Sequence, residues 1–171
     1  MTRHFALFGL PEQFHLDDTL LEQNYRLLAA KFHPDKTAAA SAFEQKQAVM
    51  MAAAVNEAYR ILKNPTDRAA YLLQAEGIDA DAPEHTAFAP EFLMQQMEWR
   101  EALDDARMMP SENEKTGKLG KLSNEIKDVK QNTINRISSA LQQKNFEQAA
   151  ALVREMRFLD KLQQEIRTAA P

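Results

Sequence analysis

Apolar side chains recur along most of the chain at intervals of three and four residues, the period of one face of an α-helix. The first such stripe consists of Leu21, Tyr25, Leu28 and Phe32. It predicts a helix over residues 18–32, with Asp17 or Asp18 as its N-terminal cap. Pro34 disfavours helix at the residue before it, so the helix should end near His33.

A second helix is predicted to begin at residues 41–44, where Ser41 and Glu44 form a capping box. Its stripe consists of Ala48, Ala52, Val55, Tyr59 and Leu62. The two helices form a natural antiparallel pair, joined by a loop of about ten residues. Asn64 and Pro65 then fit the cap and first position of a short helix, which Gly77 would close.

The composition changes over residues 77–90, which are polar and acidic and show little periodicity. We interpret this segment as a linker, so that residues 1–76 and 91–171 form two domains. The second domain should be a bundle of three helices. These helices are predicted over residues 91–109, from the capping box at Ser111, and from the cap at Asn145. Strand signals are nearly absent, so the fold class is all-α.

The bundle helices each carry their own apolar stripe. The long middle stripe consists of Leu119, Leu122, Ile126, Val129, Thr133, either Arg136 or Ile137, and Ala140. The last stripe consists of Ala149, Leu152, Met156, Leu159 and Ile166. A spacing of three and four that continues over several turns is typical of an antiparallel coiled-coil seam.

Composition excludes several kinds of chemistry. The 171 residues contain no cysteine and only four glycines, and the net charge is −4. Disulfides, thiolate nucleophiles, cysteine-ligated metals and glycine-rich phosphate loops are therefore excluded. The acidic balance gives no general attraction to nucleic acid or to an anionic membrane. No signal peptide and no membrane span is predicted, so we expect a cytoplasmic protein without metal or cofactor.

One tripeptide stands out from this background. His33, Pro34 and Asp35 lie at the tip between the two antiparallel helices. A structural explanation is that the proline ends one helix and the aspartate makes the turn. A functional explanation is a rigid docking loop. Pro34 would lower the entropy lost on binding, the Asp35 carboxylate would accept a charge-assisted bond, and His33 offers a ring donor.

A helical wheel of residues 91–107 shows a second candidate. Phe92, Trp99, Leu103 and Ala106 share one sector, which should face the core. The remaining large apolar residues, about 100° to 160° away, are Leu93, Met94 and Met97. They indicate a surface that binds a protein, because a solvated face gains nothing from Leu and Met. Alternatively, this helix is buried on two sides.

Charged residues surround that apolar face. Glu98, Glu101 and Asp105 lie beside it, and Arg100 lies at its edge. Residues 76–109 contain nine acidic residues and two arginines, which suits either a solvated face or attraction of a basic partner. On the last helix, Phe158 points away from the core sector. It could anchor a partner, or pack on the linker or the first domain.

Residues 1–76 resemble the J-domain in helix order and spacing, and residues 33–35 match its loop signature. The resemblance implies a co-chaperone that docks on a DnaK-type chaperone and stimulates ATP hydrolysis there. The family carries basic residues before and around the loop, which correspond here to Arg26, Lys31 and Lys36. Glu22 reduces the positive charge of this face.

The whole chain resembles the HscB family of iron–sulfur co-chaperones. The matching segments are residues 5–11, 33–36, 68–73, 92–98 and 157–162. The resemblance implies an L-shaped two-domain arrangement and a monomer that binds the scaffold IscU, delivers it to the chaperone HscA and stimulates its ATPase. This would promote iron–sulfur cluster transfer and protein maturation. The family's scaffold-binding positions fall here on Leu93, Met94, Met97, Glu98, Arg100, Glu101, Asp105 and Phe158.

Two other functions remain open from the sequence. A general J-protein would feed unfolded clients to DnaK and bind extended apolar peptides on its bundle. A hydrolase or transferase would need clustered acid–base residues, and none of the four histidines has such a partner in the sequence.

Overall fold

The computed structural model describes residues 3–85 and 87–171. Residues 1, 2 and 86, which fall within the predicted J-domain and linker, lie outside the described residues. Over the described ranges the chain forms seven α-helices and one short 3-10 helix, with no strand. It divides into two compact units, the first through Gly77 and the second Ile78–Pro171. No helix among the described residues is both long and apolar enough to span a membrane.

The first unit contains α1 (Arg3–Leu7), α2 (Asp18–Lys31), the 3-10 helix Pro34–Lys36, α3 (Ala42–Lys63) and α4 (Pro65–Ala75). The predicted caps are present. The side chain of Asp17, rather than Asp18, accepts from the backbone N–H of Leu20 at 3.1 Å. Ser41 and Asn64 cap α3 and α4 in the same way.

The core of this unit is built by α2 and α3 together with the segment that precedes them. Its buried residues are Phe5, Phe8, Leu10, Leu16, Leu21, Val55, Ala58 and Leu62. Tyr25, Leu28, Phe32 and Tyr59 are half-buried and pack against it. Phe5 and Phe8 lay outside the predicted stripes. They pack in the core between α2 and α3, so the loop at the tip of these two helices is supported by a packed core.

The second unit contains α5 (Pro90–Arg107), α6 (Glu112–Gln142) and α7 (Phe146–Ala169). Pro90 occupies the first turn of α5, where its missing N–H costs nothing, and the helix ends two residues earlier than predicted. Ser111 and Asn145 cap α6 and α7 as predicted. In the middle stripe Ile137 is buried in the core and Arg136 is exposed, while Val129 is half-buried.

The described residues between Gly77 and Pro90 form no helix, yet they pack within the second unit. Ala80 is only 2% exposed. Asp81 accepts two hydrogen bonds from the Arg157 guanidinium, at 2.9 and 3.0 Å. This segment is therefore held against α7.

Candidate functional site

The loop at the tip of the first unit has a defined geometry. His33 caps the 3-10 helix, and its Nδ1 accepts from the backbone N–H of Asp35 at 3.2 Å. The Asp35 carboxylate lies 3.6 Å from the same ring nitrogen and its side chain is 92% exposed. The remaining ring nitrogen of His33 and the Asp35 oxygens are thus available for a partner.

Gln45, which the sequence analysis missed, ties this loop to α3. Its side-chain N–H₂ lies 3.2, 3.2 and 3.3 Å from the backbone carbonyls of Thr37, Ala38 and Ala40. One amide donor group therefore satisfies the turn that follows the 3-10 helix. A Gln one turn into a helix carries no distinctive sequence signal, because its partners depend on the path of the loop.

The basic residues around the loop differ in their surroundings. Arg26 forms an exposed ion pair with Glu22 at 2.8 Å, so part of its positive charge is balanced on α2. Lys31 Nζ lies 5.5 Å from the centre of the Phe32 ring. Lys36 is exposed on the 3-10 helix. Of the three basic residues predicted to attract the chaperone, Arg26 is therefore partly neutralised. Lys31 and Lys36 provide most of the positive charge beside the loop.

The second candidate lies on α5, and we call Leu93, Met94 and Met97 the apolar ridge. Their exposed fractions are 44%, 64% and 74%. Phe92, Trp99, Leu103 and Ala106 on the opposite side of α5 are buried, as the wheel predicts. The alternative that this helix is buried on two sides is therefore wrong for these residues. Glu98, Glu101 and Asp105 are exposed beside the ridge.

Phe158 and Arg100 hold α5 and α7 together. The half-buried Phe158 ring lies 5.7 Å from Phe92 and 6.4 Å from Trp99, measured between ring centres. The Arg100 guanidinium lies 5.3 Å from the Phe158 ring centre and forms an ion pair with Glu165. Phe158 and Arg100 remain partly exposed. A partner that covers the ridge can therefore contact two side chains whose positions are already held by their packing and ion pair.

The described residues contain no cluster of three or more His, Asp or Glu side chains suited to a metal ion. The half-buried Glu155 carboxyl is not among the residues of either candidate surface. Burial raises the pKa of Glu155 above its ordinary value, while the charge of Arg136 acts in the opposite direction. Since Glu155 touches neither candidate surface, it bears on stability.

Models of two protein families match this chain. The DnaJ domain matches residues 3–71, and the HSCB C-terminal oligomerisation domain matches residues 88–167. The first match contains the 3-10 helix and its loop. The second contains the apolar ridge and Phe158.

Similar proteins are found along the full length of the chain. A co-chaperone protein HscB homolog from Neisseria meningitidis is 56% identical and covers 99% of both chains. One from Bordetella pertussis is 44% identical and covers 98% of this chain and 96% of the other.

Two solved structures share the fold. HscB from Vibrio cholerae has a TM-score of 0.84 and 35% identity, over 98% of this chain and 96% of that one. The human co-chaperone protein HscB has a TM-score of 0.87 and 25% identity, over 98% and 82%. With both family models and these full-length relatives in agreement, the chain belongs to the HscB family of J-domain co-chaperones.

Proposed function

We propose that this co-chaperone is a two-site adaptor between the chaperone HscA and the iron–sulfur scaffold IscU. The observation that carries the proposal is the apolar ridge. Three large apolar side chains are exposed on a helix whose other face is fully used by the core. Exposed patches of this kind mark protein-binding surfaces. The ridge belongs to one unit and the His-Pro-Asp loop to the other, so two partners can be recognised by separate residues.

At the chaperone, His33, Pro34 and Asp35 form the contact, with Arg26, Lys31 and Lys36 providing positive charge. Asp35 accepts a charge-assisted hydrogen bond from a cationic side chain of HscA. The loop loses little conformational entropy on binding, since Pro34, the His33 cap and Gln45 already restrict it. Docking accelerates ATP hydrolysis by HscA, and this chain itself hydrolyses no ATP.

At the scaffold, the apolar ridge fills a depression on IscU, and Met94 and Met97 adapt their side chains to its shape. Glu98, Glu101 and Asp105 attract basic residues around that depression. Phe158 and Arg100 extend the contact from a rigid base, because they are packed on Trp99 and paired with Glu165. Delivery of IscU to HscA then promotes cluster transfer to iron–sulfur proteins.

We further propose that the chain acts as a cytoplasmic monomer without a cofactor and binds neither nucleic acid nor membrane. The net charge of −4 and the acidic rim of the ridge support the lack of nucleic-acid and membrane binding.

The proposal is tested with purified HscA, IscU and this chain. Steady-state ATP hydrolysis by HscA should rise with the chain alone and rise further when IscU is added. Titration calorimetry should show the chain binding folded IscU, and extended apolar peptides should not compete. ATP turnover without HscA, no stimulation of HscA, or displacement of IscU by such peptides would contradict the proposal.

A further inference from the structure

A small pocket of about 310 Å³ lies within the second unit, next to the proposed scaffold surface, with which it shares Phe158. One wall is apolar and includes Phe88 and Phe158. The other wall is basic and comes from α7, where Arg154, Arg157 and Lys161 follow the spacing of a single helix face. The pocket therefore combines an apolar surface with concentrated positive charge.

The positive charge of this pocket is only partly balanced. Asp81 is the single acidic side chain among the described lining residues, and the Arg157 guanidinium holds both of its carboxylate oxygens. Arg154 Nε is buried without a hydrogen-bond partner. The Arg154 charge is therefore not neutralised at this atom, so the pocket keeps positive charge.

The pocket is continuous with the proposed scaffold surface through Phe158. That ring lines the pocket and also packs on Phe92 and Trp99 of α5. On the α5 side of this ring, Arg100 is paired with Glu165, and the exposed charges around the ridge are negative, from Glu98, Glu101 and Asp105. In the pocket the charges are mostly positive.

We propose that the pocket receives a carboxylate side chain of the scaffold protein bound on the apolar ridge, an inference that rests on the proposed function. The carboxylate pairs with the Arg154 guanidinium and with Lys161, while Phe88 and Phe158 cover the methylene groups of the acidic residue. A scaffold surface must then present basic residues to the ridge and one acidic residue beyond Phe158. This alternation fixes the orientation of the bound partner and rejects scaffolds of reversed charge.

The test uses the full chain and purified IscU, with Arg154→Gln/Lys161→Gln compared with Lys118→Gln/Arg167→Gln. The control pair removes the same charge from exposed positions on α6 and α7 that do not line the pocket. We expect the pocket pair to weaken binding about tenfold and the control pair to leave it within about twofold. The pocket pair should also reduce the dependence of affinity on salt, which reports charge pairs at the contact.

The exposed Lys161 provides a second variant that cannot disturb packing. Lys161→Glu should weaken binding, and replacing one acidic residue of IscU by Lys should restore it. Unchanged affinity and salt dependence in the pocket variants would overturn the inference. So would an effect on self-association of this chain, measured by sedimentation, in place of an effect on scaffold binding. A ridge variant that still binds IscU would instead refute the proposed function.

Discussion

The two proposed docking surfaces are built in opposite ways. The His-Pro-Asp loop is polar and fixed by short-range hydrogen bonds, which the Asp35 backbone N–H donates to His33 and the Gln45 side chain donates to the turn beyond it. The apolar ridge needs no such bonds, because α5 presents Leu93, Met94 and Met97 simply by packing its other face on the bundle. A single short 3-10 turn needs added side-chain contacts to hold its position, whereas a long helix positions side chains by its own period.

The largest effect is expected at the ridge. Leu93→Ala/Met97→Ala should weaken IscU binding by about 2–4 kcal/mol, since exposed apolar anchors carry most of the energy of such contacts. Stimulation of HscA in the absence of IscU should not change. Titration calorimetry measures the binding. The control is Met50→Ala, a methionine of α3 that is 64% exposed and belongs to the other unit.

A slightly smaller effect is expected at the loop. Asp35→Asn keeps the shape of the side chain but removes the charge, so a bond worth about 1.5–3 kcal/mol is lost. Stimulation of the HscA ATPase should fall at least about tenfold, while IscU binding stays constant. The matched control is Asp128→Asn on an exposed position of α6. Loss of scaffold binding in Asp35→Asn would show that the two surfaces are not independent.

The contribution of loop order is tested by Gln45→Ala. This variant leaves His33, Pro34 and Asp35 in place but removes the side-chain donor near the carbonyls of Thr37, Ala38 and Ala40. Of these three carbonyls, only that of Thr37 keeps a backbone bond, from the Ala40 N–H. Binding must then order the loop, and we expect stimulation to weaken about threefold to tenfold, or about 1 kcal/mol. Higher chain concentration should restore the maximal rate. Gln23→Ala, on the exposed side of α2, should have no effect.

The smallest effect concerns stability alone. Because burial raises the folded-state pKa of Glu155, ionisation of this carboxyl costs more in the folded than in the unfolded chain. The folded state is therefore favoured at low pH and loses this advantage as pH rises through the raised pKa. Glu155→Gln should raise the free energy of unfolding of the second unit at pH 7 by less than about 1 kcal/mol, and the gain should vanish near pH 4. Thermal unfolding at the two pH values measures it. Both affinities should stay unchanged, since neither surface includes this residue.

Local rules predicted much of this molecule. Ser41, Asn64, Ser111 and Asn145 cap their helices as expected, because a cap depends on a few neighbouring residues. The exposure of the apolar ridge followed from the helical period in the same way. The J-domain and HscB family resemblances are likewise confirmed.

Contacts between distant segments could not be predicted. The pair of Arg100 with Glu165 and the pair of Arg157 with Asp81 join positions 65 and 76 residues apart. A single sequence holds no local pattern that specifies such partners. For the same reason the wheel placed Phe158 off the core but did not show that Phe92 and Trp99 half-bury it.

The most direct measurement mixes two variants, each altered at only one docking surface, with HscA and IscU. Asp35→Asn retains the ridge, and Leu93→Ala/Met97→Ala retains the loop. If one chain must hold both partners at once, the equimolar mixture should show only the IscU-independent stimulation of the ridge variant. Recovery of the full wild-type rate by the mixture would contradict the adaptor account, because the two surfaces would then work equally well on separate molecules.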